Sequence, residues 1–357
     1  KEGKVHMKKN KITIKDVAEY AQVSPSTVSR VLNDYKWINT EVKERVQKAI
    51  DELHYVPDFT AKAMVRGRSP VVVVIVPLID NQFFTQLINT VIQEMKKYGY
   101  YVVVYTTESA DEECSFLSSS ICQMADGILD ATSLKELTRL QQVKKPVVLI
   151  DRYFEENTSL DCIMNRNYEA LYQGTEYLIK NGHTRIAFLV GAEGHGIAEE
   201  RIRGFRDCLA AYGLPWRSGY FIQDCWKTEA GIRYTSQLLG LEKPPTAIIA
   251  GNNTLTTGML EAVRNHGLEP GEDISLIGFE ECDEDVMAFE RHGITSFRLD
   301  TSAIAVGAVR LLLKRMEQPG EKGGARTEAL ELKFIERTSV KKLHQPAKMT
   351  PYMDSAA

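Results

Sequence analysis

Apolar residues recur at helical spacing from Thr13 to Leu53, and from Val71 onward in the short runs expected of buried strands. In the first stretch, Thr13 followed by Asp16 predicts a capped helix burying Val17, Ala18 and Ala21. Gln22 and Val23 break the pattern. Ser24 supplies a second N-cap, and Pro25 takes the first helical position, where its missing N–H is no loss. The next helix buries Val28, Val31 and Leu32 and turns Ser26, Thr27, Ser29, Arg30 and Asn33 outward. Asn39 and Thr40 begin a third helix, residues 41–54, whose Val42, Val46, Ile50 and Leu53 close a three-helix core. Two short helices around a tight turn, the second lined with small polar side chains and one arginine, make a helix-turn-helix pattern. Such a helix can enter a major groove, where a guanidinium forks onto a guanine edge. Capped amphipathic helix pairs that touch no nucleic acid are common too, so the pattern alone leaves both readings open.

After Tyr55-Val56-Pro57, Asp58 can cap a short helix over residues 59–65 that stops at Arg66-Gly67-Arg68-Ser69-Pro70. A helix of that length is marginal in water by itself. The pattern then becomes strand, helix, strand. Strands are predicted at 71–76, 101–105, 126–129, 146–150, 186–190, 246–250 and 275–278. Helices are predicted at 84–98, 168–181, 201–212 and 256–266. This alternation predicts an α/β fold of parallel sheets with helices on both faces. Ligands in such sheets sit beyond the carboxyl ends of the strands. Asn81, Phe83 and Phe84, just past the first strand, are therefore cleft candidates. Two adjacent aromatics there suit the face of a sugar or base; core packing is the other use for them.

Composition narrows the class. At 357 residues the chain has room for a small domain and a larger two-lobed one, and 43% hydrophobic with 26% charged residues is ordinary for a globular protein. No apolar run reaches membrane-spanning length, and the N-terminal residues hold no apolar signal core, so a cytoplasmic location is expected. Six scattered cysteines without a CxxC pair read as reduced thiols, not as a zinc site or disulfide framework. Residues 1–70 carry 14 Lys+Arg against 9 Asp+Glu, and the remainder 30 against 39. A basic head on an acidic body puts the phosphate-seeking surface at one end.

The stretch TIKDVAEYAQVSPSTVSRVLN, followed by a third helix and HYVPDFTAKAM, resembles the headpiece of the LacI/GalR family of bacterial transcription regulators. The similarity runs on to Ile335-Glu336-Arg337-Thr338-Ser339. It implies an all-α helix-turn-helix headpiece over 11–56, a hinge over 57–70, and a two-lobed sensor of the periplasmic-binding-protein type I fold over 71–340. Lobe 1 would comprise 71–164 and 298–326, and lobe 2 would comprise 165–297 and 327–340, with flexible ends at 1–10 and 341–357. The resemblance further implies a repressor that binds a pseudo-palindromic operator as a homodimer, with double-stranded DNA and a small effector as partners and no cofactor. Thr13 and Ile14 would approach the DNA backbone, and Ser24, Pro25, Ser26, Thr27, Ser29 and Asn33 would lie against the groove, with Arg30 reading a base. Ala61 and Met64 of the hinge would reach the minor groove, Met64 standing where the family has a wedging leucine.

Arg201, in Arg201-Ile202-Arg203-Gly204-Phe205, matches the family arginine that reaches the effector and is expected to open its helix. Three positions where sugar-binding relatives present aspartates hold Asn165, Asn253 and Glu280 here. Together with Arg166 and Arg201, these changes predict a cleft shifted from negative toward neutral or positive, hence an anionic effector such as a sugar phosphate or sugar acid. The alternative is control by a phosphorylated phosphocarrier protein. Residues 299–316 keep Arg310 and Lys314 for it, but have Ser302 and Ala303 where responsive members carry tyrosine and aspartate.

Other motifs carry less. Gly191-Ala192-Glu193-Gly194-His195-Gly196 follows a strand, but its order is GxxGxG, not the GxGxxG of a dinucleotide loop. Glu280, Glu281, Asp283, Glu284 and Asp285 read as a solvated acidic loop. His183 is expected at a helix end, where a basic group suits the dipole. No serine, cysteine or histidine sits in a nucleophile motif, so an enzyme is not expected.

Overall fold

The computed structural model describes residues 12–32, 35, 37–56, 69–107, 109–131, 140–152, 159–191, 196–282, 286–318 and 324–343. The chain forms two compact units, residues 1–69 and 70–357. The hinge over 57–68, with Ala61 and Met64, lies outside the described residues. So do Asn33, both expected flexible ends apart from residues 341–343, and Asp283, Glu284 and Asp285.

In the first unit, α1 (Ile14–Tyr20), α2 (Pro25–Leu32) and α3 (Thr40–Glu52) enclose Val17, Ala18, Val28, Val31, Val46, Ala49 and Tyr55. The caps form as the sequence predicts. The Asp16 carboxylate accepts the Thr13 N–H at 2.6 Å and the Thr13 hydroxyl at 2.7 Å, and Asn39 Oδ1 accepts the Glu41 N–H at 3.0 Å. Arg45 donates to the Ala21 carbonyl at 3.0 Å, so α3 satisfies the end of α1. α3 stops at Glu52 rather than at residue 54 because His54 turns to a φ of 47°, outside the helical region.

The second unit contains two six-stranded sheets. In chain order its elements are β1 (Val71–Val76), α4 (Gln82–Lys97), β2 (Tyr101–Thr106), α5 (Ala110–Leu117), α6 (Ser120–Met124), β3 (Gly127–Asp130), β4 (Val147–Ile150) and β5 (Asp161–Asn165). Then follow α7 (Asn167–Lys180), β6 (Ile186–Val190), α8 (Gly196–Ala211), β7 (Phe221–Gln223), α9 (Thr228–Leu239), β8 (Ala247–Ala250), α10 (Asn253–Asn265) and β9 (Ser275–Glu281). The chain closes with α11 (Val286–Arg291), β10 (Thr295–Arg298), α12 (Thr301–Glu317), β11 (Thr327–Leu330) and β12 (Lys333–Ile335). Sheet order is β11-β5-β4-β3-β1-β2 in lobe 1 and β12-β10-β9-β8-β6-β7 in lobe 2. All pairings are parallel except β10 with β12. Strand order reverses between β1 and β3 and again between β6 and β8, and such switch points open a crevice at the strand ends.

Three expectations change. Arg201 does not open its helix, since α8 begins at Gly196 and places Arg201 in its second turn. The last lobe 2 segment, expected from residue 327, begins later: β11 (Thr327–Leu330) pairs with β5 in lobe 1, and only β12 pairs with β10. The lobe boundary therefore falls after Leu330, not at residue 326. His183 is not a charged group at a helix end but is fully buried, its Nδ1 2.9 Å from the Thr246 hydroxyl and its Nε2 3.1 Å from the Lys341 carbonyl.

His183 thereby pins the C-terminal segment, where Ser339 is also buried and the Leu343 N–H donates to the Asn181 carbonyl at 2.8 Å. Burial pushes the His183 imidazole down to about 4 from its ordinary 6.5. As pH falls, the unfolded chain takes up the proton first. The contribution of neutral His183 is therefore whole above about pH 6.5 and lost between there and about pH 4, up to about 3 kcal/mol in all. Urea denaturation at about pH 7 and about pH 5 measures this: His183→Asn should show a shallower loss of stability on acidification than the unsubstituted chain.

Candidate functional site

In the helical unit the residues expected to face the groove lie on and just before α2. Ser24 Oγ accepts the Thr27 N–H at 3.2 Å and lies 2.7 Å from the Ser26 hydroxyl and 2.9 Å from the Thr27 hydroxyl. Ser24, Pro25, Ser26 and Arg30 are exposed, while Thr27 and Ser29 are half-buried. Thr13 is exposed and Ile14 half-buried at the start of α1. Small hydroxyl side chains at a helix N-terminus, with a guanidinium one turn on, make a surface able to donate to phosphates and base edges.

In the sensor unit the two switch points face each other. Asn81 follows β1 and caps α4, its Oδ1 accepting the Phe83 N–H at 2.9 Å. Asn253 opens α10 just past β8. Asn81 Nδ2 donates to Asn253 Oδ1 at 3.1 Å, and Asn253 Nδ2 to Asn81 Oδ1 at 3.4 Å. This reciprocal amide pair joins lobe 1 to lobe 2. Phe83 is buried in the lobe core with Phe84 set edge-on to it at 5.0 Å, while Phe84 stays half-buried.

Arg201 lies at the bottom of the cleft, 1% exposed. Its Nε donates to Asn167 Oδ1 at 2.9 Å, its Nη1 to the Gly251 carbonyl and its Nη2 to Glu280 at 2.6 Å. The guanidinium carbon also lies 4.3 Å from the centre of the Phe279 ring and 5.6 Å from that of Trp226. Glu280 is the penultimate residue of β9, at a φ of 56°, and Asp151 follows β4 at a φ of 49°. Among the described residues of this unit they are the only non-glycine positions in that strained region, which side chains adopt when surrounding structure enforces it. Burial pushes both carboxyls up, with Arg201 opposing the shift. Asp151 accepts the Asn165 amide at 3.1 Å, which commits Asn165 to its neighbour.

The two arginines expected to make the cleft neutral or positive are placed differently. Arg166 caps α7 with its side chain exposed and 3.8 Å from Glu169, away from the buried cluster. Arg201 is offset by Glu280 and faces Asp151 as well. Deeper in lobe 1, Arg152 is buried 3.2 Å from Asp130 and 3.9 Å from Glu113. Glu280 and its neighbour Glu281 point to different partners: Glu281 is clamped by Arg337 at 2.9 Å and by Arg298 and Ser296. On α12, Arg310 pairs with Glu328 at 2.5 Å, which engages one of the two basic groups expected to receive a phosphorylated partner.

Asp151, Asn167 and Trp226 were missed in the sequence. Asp151 directly follows the apolar run Val147–Ile150, so the strand-end rule applied there would have found it. Trp226 follows the three-residue β7, too short and too half-buried to announce itself. Its ring lies against Gly191 and Gly251, where a Cβ on either glycine would meet the indole. Removing the cationic centre should be severe: Arg201→Ala leaves half-buried Glu280 and buried Asp151 without their cation, with an expected loss of about 3–5 kcal/mol in urea denaturation. A loss below about 1 kcal/mol would show that Arg201 is no structural centre.

Two family models match the chain. Residues 13–58 match the bacterial regulatory proteins of the lacI family, and residues 69–320 match the periplasmic binding proteins and sugar binding domain of the LacI family. The HTH-type transcriptional repressor PurR of Vibrio parahaemolyticus is 29% identical over 339 residues, covering 93% of this chain and 99% of that protein. The NTD biosynthesis operon regulator NtdR of Bacillus subtilis is 30% identical over 271 residues, covering 75% of this chain and 82% of that protein. In fold the chain is similar to the lac repressor dimer bound to operator and the anti-inducer ONPF, with a TM-score of 0.80 at 23% identity, covering 92% of this chain and 99% of that one. Among the described residues no helix is long and apolar enough to cross a membrane. A capped helix-turn-helix joined to a two-sheet α/β sensor, matched by both models over most of its length, makes this chain a member of the LacI family of DNA-binding transcription regulators.

Proposed function

We propose that the protein is a cytoplasmic transcription repressor, not an enzyme, that binds a pseudo-palindromic operator as a homodimer and is tuned by a small effector between its lobes. The observation that carries this reading is the pairing of Asn81 with Asn253 across two facing switch points, above a buried centre of Arg201, Glu280 and Asp151. A ligand entering there must exchange the amide pair for its own hydrogen bonds. Its preference for one degree of lobe closure then sets operator affinity.

The effector class follows from charge. Arg201, the cation at the floor of the cleft, is already offset by Glu280 and faced by Asp151, which disfavours a phosphate or carboxylate there. Amides at Asn81 and Asn253 and the half-buried Trp226 ring suit the hydroxyls and ring edges of a neutral sugar, nucleoside or nucleobase. A thermal-shift screen should therefore score neutral ring compounds over their phosphorylated or acidic analogues. A ligand at about a hundred times its Kd adds roughly 2.7 kcal/mol to the folded sensor. Stabilisation by sugar phosphates alone would overturn the charge argument, and no response from any class would count against small-molecule control.

For the headpiece, Arg30→Ala should weaken specific operator binding by about 1–3 kcal/mol and relax preference at one base position. Selection from a random-sequence duplex pool followed by titration measures both. Unchanged base preference would mean that Arg30 touches only phosphate.

A further inference from the structure

Three carboxylates face the Arg201 guanidinium, and they come from both lobes. Glu280 in β9 and Glu200, next to Arg201 on α8, belong to lobe 2, whereas Asp151 directly follows β4 of lobe 1. Glu280 lies 2.6 Å from Arg201 Nη2, and Glu200 lies 3.7 Å from Arg203. Asp151 is buried and is bonded by the Asn165 N–H and side-chain amide rather than by a guanidinium. Burial raises all three carboxyls, Glu200 to about 7, and Asp151 pushes the other two up further. The cations that oppose the rise are Arg201 at each carboxyl and Arg203 at Glu200, so the carboxylates outnumber the guanidiniums that answer them.

A carboxylate in excess within a desolvated cleft must take up a proton or meet a cation. We infer that the effector is a ring compound carrying a protonated amine, of the class of amino sugars and aminodeoxynucleosides, with its ammonium held between Asp151 of lobe 1 and Glu280 of lobe 2. An ammonium has three donors and no acceptor, so it bonds both carboxylates at once and balances their charge. A contact with one carboxylate from each lobe ties ligand binding to lobe closure. The amides of Asn81 and Asn253 and the half-buried Trp226 ring remain for the hydroxyls and edges of the ring itself. The inference rests on the reading of a small effector in this cleft and names the charge that the effector carries.

Calorimetric titration of the full chain at about pH 7 with matched probes tests it. The pairs are glucosamine against glucose, galactosamine against galactose and 5′-amino-5′-deoxyadenosine against adenosine, with N-acetylglucosamine as a neutral probe of larger size. In the pair that binds, the amine should bind about tenfold more tightly than its neutral counterpart. Glu280→Gln and Asp151→Asn should each bring the two affinities together. These variants lie in different lobes, so one that fails to fold leaves the other to be read. Neutral members that bind as tightly as the amines, or N-acetylglucosamine matching glucosamine, overturn the inference while leaving small-molecule control intact. An amine preference that persists in both variants overturns the assignment to these carboxylates. Binding by no probe overturns the small-effector reading along with it.

Discussion

The sensor is built around one buried guanidinium. Arg201 satisfies an acceptor from each of three separate parts of lobe 2: Asn167 at the start of α7, the Gly251 carbonyl after β8 and Glu280 near the end of β9. A buried charge is tolerated only when its partners surround it in good geometry, so the strand ends must come together where Arg201 is. Arginine suits this place better than lysine, because its planar fork bonds several acceptors at once while its guanidinium carbon sits over the Phe279 ring. The strained backbone at Glu280 and the tight approach of Trp226 to Gly191 and Gly251 both follow from drawing these ends toward one point. The floor of the cleft is therefore hydrogen-bonded to three parts of lobe 2 at once, whereas the amides above it bond only each other across the lobes.

The lobes are joined by three crossings of the chain, after β5, after β10 and after β11, and ionic clamps sit beside them. Burial opposes ionisation of Glu281, but Arg337, Ser296 and Arg298 together hold its carboxyl below the usual range. That clamp ties β9, β10 and the C-terminal segment into one body. In lobe 1 the Asp161 carboxylate takes both Arg315, at 2.7 and 2.8 Å, and the Arg326 N–H at 2.9 Å. The Arg166 N–H donates to the Leu330 carbonyl at 2.8 Å, linking the first crossing to the third. Two bodies joined at bonded crossings have the geometry of a hinge.

How much the sequence revealed depended on how each residue is buried. Val71–Val76 and Ile186–Val190 are apolar throughout and were legible as central strands. Asp161–Asn165 was not, because its burial relies on a carboxylate paired with Arg315 and a terminal asparagine held by Asp151. Thr327–Leu330 is a half-exposed edge strand with no apolar run to mark it. The caps at Thr13, Ser24 and Asn39 were readable because capping is local. Charge in the cleft was not, since it depends on which distant carboxylate each arginine meets. Arg166 and Arg201 count alike in a sequence, yet one sits on the surface and the other is enclosed.

The placement of the last strands bears on how the protein is made. Lobe 1 is not complete until β11 joins β5, and lobe 2 waits for β12 and for the segment that His183 and Asn181 hold. Each sheet thus needs residues from beyond position 326, so during synthesis neither sheet is complete until those residues have emerged. The helical unit has no such wait, since its core is complete once Tyr55 is available. A nascent chain would carry a folded headpiece well before it carries a working sensor. Premature termination within residues 327–343 would therefore leave a folded helical unit attached to two unfinished sheets.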